Sequence, residues 1–149
     1  MRSERSGGDA YRRRLRTRAE EELLGGEKIV AMLPFATVPK APRLPGAPRG
    51  RKGKVRFGIR QSWRRYRPTV VTDRRLLVFD SGKTPHPRWL LGAYPLDQVK
   101  MGPLGVGGMG ATSFTLALPD AGEVPFETGR RESADVALLA QMVGQVATS

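Results

Sequence analysis

The sequence predicts one mainly β domain, with a helix at each end and a small bent antiparallel barrel or sandwich between them. Its 149 residues fit a single domain, and its apolar fraction of 39% is ordinary for a globular protein. Short runs of β-branched and aromatic residues, separated by turn residues, fill most of the chain from residue 54 to 127. Helical periodicity is confined to the ends, so we expect the C-terminal helix to cover an open end of the barrel.

The first predicted element is a helix over Asp9–Leu24, preceded by a disordered tail at residues 1–8. Asp9 suits the N-cap position, and Gly25 follows the last apolar position. Apolar residues recur at every fourth position, at Tyr11, Leu15, Ala19 and Leu23. The arginines lie near the positive end of the helix dipole and the glutamates near the negative end, which is unfavourable in an isolated helix. Something other than the local stability of the helix therefore favours these arginines, and binding to a partner is one candidate.

The segments after this helix change character twice. Ile29–Phe35 is apolar at almost every position, which predicts a strand buried on both faces, with Pro34 near its end. Residues 37–53 are rich in proline, glycine and basic side chains and are predicted to form a loop. Lys54–Trp63 alternates apolar and basic residues, which predicts a strand with one apolar and one cationic face. The cationic face comprises Lys54, Arg56, Arg60 and Arg64.

Two further regions carry the pattern of paired short strands. Thr69–Phe79 predicts a hairpin around a tight polar turn, and Trp89–Met101 predicts two short strands. Thr112–Leu118 alternates apolar and small or polar residues, and a glycine-containing turn leads into its predicted partner, Glu123–Glu127. The middle of the chain is therefore predicted to be entirely β.

The C-terminal residues 133–147 predict the capping helix. Ser133 suits the N-cap, and apolar residues follow at spacings of three and four positions. Such a stripe needs an apolar surface to cover. Residues 9–149 are accordingly predicted to form a single domain.

Charge is distributed unevenly along the chain. The net charge is +12, yet the first 67 residues hold 19 Lys+Arg against 6 Asp+Glu, whereas the remaining residues hold 7 against 8. A cationic part beside a near-neutral part is typical of charge-driven binding to a polyanion. An arginine-rich codon usage would explain arginine over lysine but not this asymmetry.

Several function classes are disfavoured. The absence of cysteine and the presence of a single histidine, His86, argue against disulfides, structural zinc and thiol catalysis. His86 lies between two prolines and is expected to be an exposed loop residue, not a general base. Gly105, Gly107 and Gly110 spell G-x-G-x-x-G, but an alternating strand follows instead of a helix, which favours a flexible turn over a dinucleotide site. The sequence thus predicts no catalytic residue, cofactor, metal site or small-molecule substrate.

Three segments carry a family resemblance. Glu20–Val30 (EEELLGGEKIV), Thr69–Phe79 (TVVTDRRLLVF) and Tyr94–Val99 (YPLDQV) resemble the bacterial pleckstrin-homology-like (PH-like) domains. The glycine-rich turn, alternating strand and final helix follow in the family's order, so the resemblance covers most of Glu20–Val146. It implies a seven-stranded bent antiparallel β-barrel capped by a C-terminal α-helix, a scaffold used for ligand recognition and not for catalysis. The N-terminal helix would be an addition to that fold.

The resemblance also implies where a ligand would bind. Family members of eukaryotic type bind phosphoinositide headgroups through basic residues on and around the loop joining the first two strands. The corresponding region, Lys40–Arg67, resembles a long insertion and contains eleven Lys+Arg and no Asp or Glu. A solvated strand face would ordinarily mix charges of both signs. The predicted ligand-binding residues are Lys52, Lys54, Arg56, Arg60, Arg64, Arg65 and Arg67, with a secondary basic patch at Arg12, Arg13, Arg14 and Arg16.

The partner predicted from this charge is an anionic membrane surface or phospholipid headgroup. Nucleic acid or ribonucleoprotein, whose phosphates the same charges would follow, and a protein partner remain alternatives. The chain shows no signal-peptide pattern and no apolar run of membrane-spanning length, which predicts a cytoplasmic protein, peripheral at the inner face of the membrane if lipid is the partner.

Overall fold

The computed structural model of the chain describes residues 7–39, 64–81, 85–106 and 111–145. Two α-helices occur in these ranges, α1 (Gly7–Glu20) and α2 (Ser133–Met142), and two 3₁₀ turns occur at Leu96–Gln98 and Arg130–Glu132. In chain order the strands are β1 (Ile29–Leu33), β2 (Thr37–Pro39), β3 (Arg64–Tyr66), β4 (Thr69–Thr72), β5 (Arg75–Phe79), β6 (Leu90–Pro95), β7 (Lys100–Met101), β8 (Gly105–Val106), β9 (Thr112–Leu118), β10 (Gly122–Thr128) and β11 (Gly144–Gln145).

The strands form two sheets. The first has the order β1-β4-β5-β6, and the second has the order β11-β7-β9-β10-β2-β3, with β8 also paired to β9. Every pair is antiparallel except β11 with β7, which is parallel. The prediction of a mainly β fold with a C-terminal helix is confirmed. The two sheets do not close into one barrel, because no ladder joins them among the described strands.

One bent two-stranded ribbon belongs to both sheets. In the first sheet Leu33 pairs with Thr69, and in the second sheet Thr37 pairs with Tyr66. The backbone N–H of Arg67 donates to the carbonyl of Ala36 at 2.8 Å, which holds the two segments together at the bend. Strands that turn from one sheet into another make the corners of packed β-sheets.

Strands β1, β4 and β5 of the first sheet bury side chains on both faces, as the apolar run of β1 predicted. Leu33 and Leu76 face the core between the sheets, while Met32 and Leu77 face α1. Helix α1 contributes Leu15, which is 0% exposed. Complete burial of a leucine side chain is worth about 2 to 3 kcal/mol, so this contact fixes α1 on the outer face of the sheet.

Helix α2 packs against β1 and contributes Val136 and Leu139 to the core between the sheets. It ends at Met142 instead of residue 147, because the next residues pair with β7 as strand β11. The predicted N-cap, Ser133, is the first helical residue, and Glu132 occupies the cap position.

Helix α1 also differs from its predicted bounds. It begins at Gly7, so Asp9 lies in the first turn and is not the N-cap, and the predicted tail at residues 1–8 overlaps the helix by two residues. It ends at Glu20, four residues before Leu24, because turns follow at once. Neither described α-helix has the length and apolar character that crossing a bilayer requires.

The strand predictions have mixed outcomes. The hairpin over Thr69–Phe79 is confirmed as β4 and β5, and that of residues 112–128 as β9 and β10. Thr37–Pro39, predicted as the start of a loop, forms strand β2 because it pairs with β3. The rest of that loop and the predicted strand Lys54–Trp63 lie outside the described residues.

Candidate anion-binding site

A groove lies between α1 and the segment that precedes β6. It has a volume of about 480 Å³. The lining side chains on α1 recur three or four residues apart and therefore share one face of the helix. The lining residues are Ala10, Arg13, Arg14, Thr17, Arg18, Glu21, His86 and Pro87.

Arg14 and His86 meet across this groove. The Nη1 atom of Arg14 lies 3.2 Å from Nδ1 and 3.3 Å from Nε2 of the exposed imidazole. Because a guanidinium only donates hydrogen bonds, the imidazole is the acceptor in this contact. Tyr11 supports both groups: its ring packs edge-on against His86 at 5.2 Å, and the Arg14 guanidinium lies 5.5 Å from its centroid. The histidine thus lies in a cationic and aromatic setting, and no carboxylate of the described residues pairs with it.

Arg18 joins α1 to the same segment by a different contact. Its Nε donates to the carbonyl of Arg88 at 2.7 Å, and its Nη1 pairs with Glu21 at 3.2 Å and Glu22 at 2.8 Å. Two carboxylates compensate its charge. Arg18 therefore fixes one wall of the groove and adds little cationic potential to it.

Arg12 points to the other side of α1 and joins it to α2. Its guanidinium pairs with Asp135 at 3.1 Å, and the same carboxylate oxygen accepts the backbone N–H of Met32 at 2.9 Å. Asp135 therefore connects α1, β1 and α2. Arg12, predicted as part of the secondary basic patch, is occupied by this structural contact.

A buried carboxyl lies next to that junction. Glu132 is 3% exposed and accepts the backbone N–H of Phe35 at 3.0 Å. Burial is the main reason that the pKa of Glu132 is raised to about 7; the hydrogen bond from Phe35 and the charge of Arg12 act in the opposite direction. This carboxyl changes charge near neutral pH inside the fold.

A second buried carboxyl, that of Glu27, has an environment that lowers its pKa. Glu27 accepts hydrogen bonds from Arg75 at 2.7 and 2.9 Å and from the hydroxyl of Thr72 at 2.6 Å. The bonds from Arg75 are the main reason that the pKa of Glu27 is lowered to about 2. The pair ties the loop before β1 to the β4–β5 hairpin, so Arg75 is structural and not available to a ligand.

The predicted primary site is described only at one end. Lys52, Lys54, Arg56 and Arg60 lie outside the described residues, and Arg64 and Arg65 lie on β3. Arg67 follows β3, and its guanidinium pairs with Asp80 at 3.0 Å and donates to the carbonyl of Tyr66. An anion would have to compete with Asp80 for Arg67.

The predicted secondary patch is divided by the structure. Arg13 and Arg14 line the groove, Arg12 pairs with Asp135, and Arg16 is exposed outside the lining. Arg18 was not predicted as a site residue, although its helical spacing from Arg14 would have indicated it. His86 was predicted to have no functional role, because its contact with α1 spans 72 positions and leaves no local signal.

The remaining motif, G-x-G-x-x-G, is described only at Gly105, which lies in β8 and pairs with Ser113 of β9. Gly107 and Gly110 lie outside the described residues.

No protein-family model matches the chain, and no curated protein or solved structure is significantly similar to it.

Proposed function

We propose that the chain is a PH-like binding module, without catalytic activity, that attaches to an anionic membrane through its basic residues. The main support for this proposal is the stretch Lys40–Arg67, which contains no Asp or Glu, together with the position of its ends. Pro39 and Arg64 are paired across β2 and β3, so the two positions that flank residues 40–63 lie side by side. A segment with such an excess of cations beside a near-neutral body suits attachment to one anionic surface.

The PH-like assignment is supported by the order of the elements. A bent ribbon precedes a hairpin at the quoted TDRRL segment, and a helix packs against the core after the last long hairpin. Helix α1 on the outer face of the first sheet is additional to the family's fold. The proposed location is the cytoplasmic face of the membrane.

Co-sedimentation with lipid vesicles tests the function. We expect the chain to bind vesicles of phosphatidylcholine mixed with phosphatidylglycerol, and not vesicles of phosphatidylcholine alone, at about 0.15 M salt. The triple variant Arg56→Gln, Arg60→Gln, Arg64→Gln should bind roughly 100-fold more weakly, because each basic residue near an anionic surface contributes about 1 kcal/mol.

A matched control removes three exposed charges elsewhere, at Lys28, Lys100 and Arg131. This control should retain most of the affinity. Gel-shift assays with RNA and duplex DNA under the same salt conditions separate lipid from nucleic acid. Tight binding to nucleic acid without binding to anionic vesicles would overturn the proposed function in favour of the alternative.

A further inference from the structure

Among the described residues, the arginines of the α1 groove that have no carboxylate partner lie at one end of it. Arg13 and Arg14 line the groove from the middle of α1, and Glu21 lies in the turn that follows the C-terminal end of the helix. Arg18, between them, is already paired with two glutamates. An anion is therefore favoured at the end formed by Arg13, Arg14 and His86.

An exposed aromatic side chain follows the groove-lining residues His86 and Pro87 in the chain. Trp89, two residues after Pro87, is 55% exposed. The bond from Arg18 to the carbonyl of Arg88 holds this segment against α1, and the Arg88 guanidinium lies 5.2 Å from the centroid of the Trp89 ring. Leu91, on the edge strand β6, is 47% exposed. Tryptophan beside arginine is typical of positions at the interface between a bilayer and water.

We propose that Arg13, Arg14, His86 and Trp89, together called the helix–loop surface, dock on an anionic phospholipid bilayer. A headgroup phosphate lies against Arg13 and Arg14, and Trp89 enters the interfacial layer beside it. The inference rests on the proposed membrane function, but it assigns a contact separate from residues 52–67.

Two observations favour a bilayer over a nucleic-acid strand. A strand of nucleic acid is typically bound by a groove with several successive cations, whereas the described part of this groove offers two arginines without a carboxylate partner. Leu91, two residues after Trp89, is an exposed aliphatic side chain, which suits contact with acyl chains.

The first experiment compares the affinities of two double variants for the mixed vesicles. Arg13→Gln with Arg14→Gln should weaken binding roughly 20-fold, at about fivefold per arginine. The control, Lys28→Gln with Lys100→Gln, removes the same charge at exposed positions elsewhere and should weaken binding by less than about fivefold. An equal loss in both variants would overturn the inference, because it would reflect net charge alone.

The second experiment uses the fluorescence of Trp89 to measure its depth in the bilayer and leaves the arginines unchanged. The chain has two tryptophans, so Trp63→Phe leaves Trp89 as the only one. We expect its fluorescence to shift to the blue on adding mixed vesicles, and to be quenched by lipids brominated near the headgroup end of the acyl chain. Vesicle binding with an unchanged emission maximum and no quenching would also overturn the inference.

The proposed function and the helix–loop surface predict different binding results for the variants, so the surface can be refuted while the function stands. Suppose that the unmodified chain binds anionic vesicles. If the Arg56, Arg60, Arg64 variant then loses this binding and the Arg13, Arg14 variant keeps it, the helix–loop surface is refuted and the proposed function stands. If the unmodified chain binds no anionic vesicle, both are refuted. Loss of RNA binding, with vesicle binding intact, in the Arg13, Arg14 variant would assign the groove to nucleic acid instead.

Discussion

Replacing Glu132 by glutamine is expected to remove a pH-dependent penalty on folding. The buried carboxyl accepts one hydrogen bond through Oε2, and Oε1 has no hydrogen-bond partner among the described residues. Burial raises its pKa to about 7, against an ordinary value of 4.5, and the charge of Asp135 adds to the shift. Glutamine has nearly the same shape and keeps an oxygen for the N–H of Phe35, but it does not ionise.

The sign and size of the effect follow from linkage. A carboxyl with a higher pKa in the folded than in the unfolded protein binds more protons when folded, so its contribution to stability falls as pH rises. With the pKa near 4.5 unfolded and about 7 folded, the penalty from Glu132 is small at about pH 5 and nearly complete at about pH 8. At about 1.4 kcal/mol per pKa unit the change between these conditions is about 2 to 3 kcal/mol, or roughly 5 to 10 °C in Tm for a domain of this size.

The assay is urea unfolding of the original chain and of Glu132→Gln at both pH values. The stability of the variant relative to the original should rise by about 2 to 3 kcal/mol from pH 5 to pH 8. The buried amide adds an unpaired donor at both pH values, so the change with pH is the diagnostic quantity. Glu123→Gln, at an exposed position on β10, controls for the loss of one carboxylate. Parallel pH profiles for Glu132→Gln and the original chain would refute the reasoning.

Two other substitutions test the packing. Leu15→Ala, on the buried face of α1, should lower the free energy of unfolding by about 2 to 5 kcal/mol, while Leu24→Ala, at an exposed site, should change it little. Equally small effects of both substitutions would contradict the docking of α1 on the sheet. Glu27→Gln removes the partner of Arg75 and should cost about 3 kcal/mol near pH 7, because the pKa of Glu27 is about 2 against an ordinary 4.5. A carboxyl whose pKa is lowered by folding stabilises the fold above about pH 4.5. In denaturation profiles the cost of Glu27→Gln should therefore shrink as the pH falls towards 2. A cost that does not change with pH would count against the ion pair.

The elements that the sequence predicts well are those whose partners are close in the chain. The β4–β5 hairpin is visible because two apolar runs flank one tight turn, and its register follows from that turn. Strand β2 was missed because its three residues pair with β3 across residues 40–63. Helix α2 was predicted too long because β11 pairs with the distant β7, and periodicity carries no information about such a partner.

The candidate site was likewise predictable from the sequence only where no distant partner is involved. The excess of arginine on α1 is visible in sequence, but the role of each arginine depends on partners far along the chain. Arg12 pairs with Asp135 across 123 positions, and Arg14 contacts His86 across 72. Composition therefore identified the basic helix, whereas only tertiary structure separates the arginines that hold the fold from those that face the groove.

The ribbon that crosses between the sheets affects how such a chain can evolve. Directly opposed residues such as Pro39 and Arg64 have Cα atoms about 4.5 to 5.5 Å apart, whatever the number of residues between them. The entropy of closing a loop grows slowly, by about 0.6 kcal/mol for each doubling of its length. A change in the number of residues between Pro39 and Arg64 therefore costs little in closure entropy. Under the proposed function, selection could adjust membrane affinity in that segment separately from packing in the body.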